Sequence, residues 1–175
     1  MATRSIFILL TALLLCSCAT SYGGKRLVPG ETTMHDVLHT MGTPAMRWEN
    51  PDGSTKLAYA RGPVGYNTFM VLIGKDQKLQ HIEDVLNPKY FFRIQPGMTK
   101  DQVLRILGPS EPSWTLHFDA RDQVPARLIW EWRYCSAERE ASRFRVVFDD
   151  SKGTVRSTSQ RAEDCGEQAW KCRCP

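Results

Sequence analysis

The residues best placed to do chemistry in this chain are its cysteines. Cys18 follows Ser17 at the end of an apolar run, in Leu15-Cys16-Ser17-Cys18. A thiol behind a small residue, with leucine two positions further back, is what lipoprotein processing requires, and the chemistry there is acylation of Cys18. Cys16 does not meet the requirement, because bulky Leu15 precedes it. Cys135, Cys165, Cys172 and Cys174 form an even set, which in an exported chain points to disulfides. A bond between Cys172 and Cys174 would close across a single residue and strain the required torsion. That leaves Cys135 and Cys165 each to bond one of Cys172 and Cys174, with the choice between the two open. A thiolate metal site from Cys165, Cys172 and Cys174 would lack the paired Cys-x-x-Cys spacing of zinc knuckles.

The other reactive side chains build no catalytic set. His35 and His39 stand four apart on a helical segment, a spacing that can hold a metal, but no glutamate of a metalloprotease motif and no third ligand accompany them. They read as solvated helix-face histidines. His81 and His117 are isolated in sequence. Asp149-Asp150 and Glu163-Asp164 are adjacent carboxylates, which on a strand or turn point different ways and do not make an acid/base pair. Tyr22-Gly23-Gly24-Lys25 reads as part of a tether and not as a phosphate loop. The expectation is no catalytic residue, no metal site, no cofactor, and no enzyme.

The segment that carries Cys18 sets the address. Arg4 supplies a positive start and Ile6 to Leu15 an apolar stretch, which is too short for a spanning helix of about 20 residues. Residues 1–17 therefore read as a cleaved lipoprotein signal peptide. Residues 18–26 read as a lipidated tether, and Ala19 to Arg26 span at most about 27 Å when extended. Ala19, where an aspartate would mark inner-membrane retention, directs the chain to the outer membrane, anchored by its lipid on the periplasmic face. Of 23 Lys+Arg against 19 Asp+Glu, only Arg4 goes with the signal, leaving about +3. The charges are interspersed, with no basic stripe, so nucleic acid is not an expected partner.

The elements that must position these residues repeat. Thr33-Met-His-Asp-Val37-Leu38-His-Thr-Met41-Gly42 lines up with Thr99-Lys-Asp-Gln-Val103-Leu104-Arg-Ile-Leu107-Gly108 at a constant offset of 66. Each block predicts a short helix that opens on a threonine, with Gln102 or Asp36 completing a capping box, and stops at a glycine. Helices of about two turns are not stable alone, so the apolar stripes Val37-Leu38-Met41 and Val103-Leu104-Leu107 need a cover. Candidate strands supply it: 56–60, 69–73 and 79–86 in the first half, and 114–118, 128–134, 144–148 and 154–159 in the second. Leu128, Trp130, Trp132 and Tyr134 alternate with Glu131 and Arg133, as Phe144, Val146 and Phe148 do with Arg143 and Arg145. A hairpin of these two strands would oppose unlike charges on a wet face. Asp52-Gly53 and Lys152-Gly153 mark turns. The fold class is α+β: two tandem repeats, 27–87 and 88–159, each a short helical segment packed on an antiparallel meander. A cysteine-containing tail, 160–175, follows.

Gly97-Met98-Thr99, Val103 and Leu107-Gly108, with Met41-Gly42-Thr43-Pro44, Asp52-Gly53 and Tyr59 in the first repeat, resemble the SmpA/OmlA domain of BamE-like outer-membrane lipoproteins. The resemblance covers about residues 27–86 and 92–158. Leu57 stands where an aromatic is usual and Trp132 where tyrosine is expected. The resemblance implies helices packed on an antiparallel sheet, as in the two-repeat β-lactamase inhibitor protein. It further implies a non-enzymatic lipoprotein that supports outer-membrane protein assembly or envelope integrity through protein contacts. Its expected partners are outer-membrane lipid, through N-terminal acylation, and envelope proteins such as the β-barrel assembly machinery. A periplasmic binding module or hydrolase inhibitor is the alternative. Trp130 and Trp132 read as core. Trp170, in the polar tail, is the candidate partner anchor or disulfide cover.

Overall fold

The computed structural model describes residues 20–22, 25–61, 65–121, 125–165 and 172–174. A hairpin of β1 (Thr20–Tyr22) and β2 (Lys25–Leu27) precedes α1 (Met34–Met41) and the strands β3 (Met46–Glu49), β4 (Thr55–Ala60), β5 (Thr68–Ile73) and β6 (Leu79–Asp84). A short helix α2 (Pro88–Phe91) leads to α3 (Lys100–Leu107), a single 3-10 turn (Pro112–Trp114), and β7 (Leu116–Phe118), β8 (Arg127–Cys135), β9 (Ala141–Asp149) and β10 (Thr154–Ala162). The strands form two four-stranded antiparallel meanders, β3-β4-β5-β6 and β7-β8-β9-β10. The architecture is α+β in two tandem units.

The two units match in local detail. Thr33 Oγ1 accepts from the Asp36 N–H at 3.2 Å while the Asp36 carboxylate accepts from the Thr33 N–H at 3.1 Å. Thr99 and Gln102 repeat this exchange at 3.2 and 2.8 Å. Both helices therefore begin where a side chain satisfies amides that have no partner within the helix. Both end at a glycine of positive φ, +81° at Gly42 and +73° at Gly108, where a Cβ would be strained. The chain ahead of each helix is pinned to the last strand of its sheet. Gly30 N–H donates to Leu79 O and Leu79 N–H to Thr32 O, as Gly97 N–H donates to Val155 O and Val155 N–H to Met98 O, each at 2.8 Å. Trp132, departing from the expected tyrosine, performs the same task as Tyr59. Trp132 Nε1–H donates to Gly108 O, and Tyr59 Oη–H to Gly42 O, each at 3.2 Å.

Packing makes the units one body. Met34, Val37 and Met41 of α1 bury against Leu57, Tyr59, Val71, Ile73 and Leu79, with Leu27 joining them. Val103 and Leu107 of α3 bury against Leu128, Trp132, Phe144, Val146 and Phe148 of the second sheet. That same cluster contains Trp48, Ala58 and Met70 from the opposite face of the first sheet. Helix α3 thus lies between the two sheets, and the first sheet is covered on both faces. Phe91 of α2 completes the joint, stacked on Phe144 with ring centroids 4.1 Å apart.

Several expectations change. Residues 20–22 and 25–27, the described part of the segment that follows the signal, form a hairpin of β1 and β2, and Leu27 is buried. Strand β3 was not anticipated, since Met46–Glu49 is short and carries two charges. Asn87-Pro88-Lys89, where the two repeats meet, opens α2, with the Asn87 side chain accepting from the Lys89 N–H. Trp114 sits in the 3-10 turn instead of opening a strand. Strand β10 runs past Ser159 to Ala162, because Gln160, Arg161 and Ala162 keep pairing with Phe144, Arg143 and Ser142.

Candidate functional site

The expected sites divide by location. Cys18, Ala19 and Trp170 lie outside the described residues. The cysteines form two disulfides, Cys135–Cys174 and Cys165–Cys172, with Cα atoms 5.9 Å apart in each. They hold the end of the tail against the β8–β9 hairpin, where Cys174 N–H donates to Arg139 O at 3.0 Å. His35 and His39 are exposed on α1 with parallel rings 6.5 Å apart. Among the described residues, no group of three or more His, Cys, Asp or Glu could hold a metal ion. Trp132 is core, and Trp130 is partly buried against the same cluster.

Charge gathers on the outer face of the second sheet. Residues directly opposed across antiparallel strands share a face, so Glu131, Arg145 and Ser159 form one cross-strand row and Arg133, Arg143 and Arg161 the next. The expected opposition of unlike charges holds for Glu131 and Arg145. It fails for Arg133 and Arg143, which are like charges in direct register, an arrangement that repels.

Two carboxylates resolve the conflict. Glu131 is not on a wet face: its side chain is 2% exposed and takes Arg143 at 3.0 Å, Arg145 at 2.8 Å and Arg161 at 3.3 Å. Glu163, placed by sequence in a polar tail, reaches back to Arg133 at 2.6 Å and Arg143 at 2.9 Å. Arg143 therefore bridges both carboxylates. The Trp114 ring lies 4.0 Å from the Arg143 guanidinium and the Tyr66 ring 4.4 Å from that of Arg133, so two aromatics lid the row. Burial alone would raise the Glu131 pKa. The hydrogen bonds from Arg143 and Arg145 and the charge of Arg161 outweigh it and hold the carboxyl below its ordinary value.

Among the described residues, the ion pairs of the network set four guanidiniums against two carboxylates, a net of +2. Its arginines are held by charge-assisted hydrogen bonds, so the face is a fixed array of donors. Beside it, a cleft of about 330 Å³ opens between the units, lined by Ala60, Leu86, Pro109, Trp114 and Arg133 among others. The arrangement can recognise an acidic, partly apolar surface. Arg161, and the place of Glu163 beside the arginines, are not legible in the sequence because β10 has no apolar alternation to follow past Val155. Arg143 and Arg145 were visible as the polar half of the β9 pattern.

Compared with known protein families, with curated proteins and with solved structures, the chain matches none.

Proposed function

We propose that this protein is a non-enzymatic lipoprotein of the outer membrane, lipidated on Cys18, that supports outer-membrane protein assembly or envelope integrity by contacting other envelope proteins. The observation that carries the reading is the second-sheet face, a pre-organised cationic array with an aromatic-edged cleft beside it. Fixed arginines and exposed aromatic edges recur at protein interfaces because they lose little freedom on binding. Glu131 and Glu163, the carboxylates at the centre of the array, are both engaged by arginines and are not poised for proton transfer. Export to an oxidising compartment is supported by the two disulfides and by the Leu15-Cys16-Ser17-Cys18 motif. The BamE-like resemblance of the two helix openings favours assembly factors as partners.

A Cys18→Ser variant is expected to accumulate as unprocessed precursor and to lose palmitate labelling; normal maturation would refute the anchor. For the contact, Ser159→Glu adds a carboxylate to the row of Glu131 and Arg145 at an exposed position without removing a network member. It should abolish stoichiometric co-purification with β-barrel assembly components. Stable recovery of a soluble periplasmic hydrolase in their place would favour the inhibitor reading.

A further inference from the structure

A second cleft, of about 340 Å³, lies between the face of the first sheet that α3 covers and the helices α2 and α3. Its floor is apolar, with Met70 and Leu72 of β5 and Ile106 of α3. Its rim gathers Lys56 from β4, Arg93 from the turn after α2, and Arg105 from α3. Lys56 is half-buried, and its Nζ donates to the Arg105 carbonyl at 2.9 Å, which occupies one of its N–H groups. Among the described residues neither Lys56 nor Arg93 forms an ion pair with a carboxylate. Arg105 is paired with Asp101 at 2.7 Å. Glu83, the acid facing the cleft from β6, accepts from the Tyr90 hydroxyl and pairs with Lys89 at 3.6 Å and His81 at 3.9 Å.

Asp52 also lines the cleft, its carboxylate accepting from the Ser54 N–H at 2.9 Å and the Ser54 hydroxyl at 2.6 Å, so neither acid of the lining pairs with Lys56 or Arg93. Burial, then the guanidiniums of Arg93 and Arg105, push the Lys56 pKa down, and Glu83 offsets only part of this. Like charges drawn together in a partly desolvated pocket are unfavourable unless something negative joins them. The Tyr90 bond keeps the Glu83 carboxyl ionised by lowering its pKa, so an incoming dianion would meet repulsion that a monoanion largely avoids. The volume lies at the lower end of small-molecule sites, which run from about 300 Å³.

We propose that this cleft binds a small organic carboxylate, with its head on Lys56, Arg93 and Arg105 and its apolar body on Met70, Leu72 and Ile106. The site is separate from the charged face of the second sheet and does not depend on the role assigned to that face. Hexanoate carries both features; acetate has the head alone and hexanol the body alone. Titrated into the mature, disulfide-bonded chain, hexanoate should shift the Met70 and Ile106 methyl resonances saturably, at least about ten-fold more tightly than acetate or hexanol. Lys56→Met, which keeps the apolar stem, should weaken hexanoate by about ten-fold and leave hexanol unchanged. Arg93→Gln, at an exposed position, should weaken hexanoate as well and serves as the test where Lys56→Met fails to fold. A lysine that only caps α3 would lose stability on substitution with hexanoate affinity intact, and that result overturns the proposal. So does the absence of saturable shifts at millimolar hexanoate.

Discussion

Glu131 is the residue on which the charged face turns. Its carboxylate is the shared acceptor for three arginines, and Arg143 stands opposite Arg133 only because Glu131 and Glu163 flank it. Glu131→Gln would leave those guanidiniums crowded on one sheet face with only the Glu163 carboxylate among them. Removing one partner of a buried pair costs about 3–5 kcal/mol, and chemical denaturation should read a loss in that range. A loss below about 1 kcal/mol would mean that solvent already screens the network. The same carboxyl sets an acid dependence. Its folded pKa lies below the ordinary value of 4.5, so its contribution is complete above that value and is lost as pH falls below it, through the folded pKa. The wild-type protein should lose stability over that window, and Glu131→Gln should lack that part of the slope.

At the scale of elements, the two helix ends look alike in sequence and differ in surroundings. Gly42 and Gly108 both take positive φ, yet a Cβ at Gly42 meets nothing within 4 Å, whereas at Gly108 it would fall 2.8 Å from Thr68 Cγ2. Gly42→Ala should cost about 1 kcal/mol, the strain of the backbone alone. Gly108→Ala should cost measurably more in the same denaturation experiment, because the Cβ drives α3 off the first sheet. Equal losses would contradict the placement of α3 between the sheets. This asymmetry also marks how far the sequence can be read. The capping boxes, the glycine stops and the Leu128 to Tyr134 alternation are local, and they give both helices and the central strands directly. What is not local is hidden. The Ala58 and Met70 face of the first sheet is apolar only because α3 covers it, and Lys56 and Glu83 on that face look solvated in sequence. Glu163 joins the arginine face only because β10 continues beyond its apolar start. The disulfide alternatives left open by spacing are resolved by the hairpin that brings Cys135 to Cys174.

For the whole molecule, the shared core predicts a single unfolding unit. Trp48, Ala58 and Met70 cannot keep their cover once α3 leaves the first sheet, and α3 cannot leave without exposing Val103 and Leu107. The Cys135–Cys174 bond closes a separation of 39 residues, worth about 4 kcal/mol in the chain-entropy model. The Cys135→Ser/Cys174→Ser variant should therefore unfold in one transition, coincident by fluorescence and far-ultraviolet circular dichroism, at a stability lower by about that amount. Two separated transitions would show the units to be independent. The functional account rests on the second-sheet face meeting a protein partner in the envelope, and a photo-crosslinking residue at Ser159, compared with one at exposed Asp76 in the turn before β6, measures this in intact cells. The account predicts a discrete adduct from position 159 with a β-barrel assembly component and none from position 76. An adduct from position 76 alone, or no envelope-protein adduct from position 159, would contradict it.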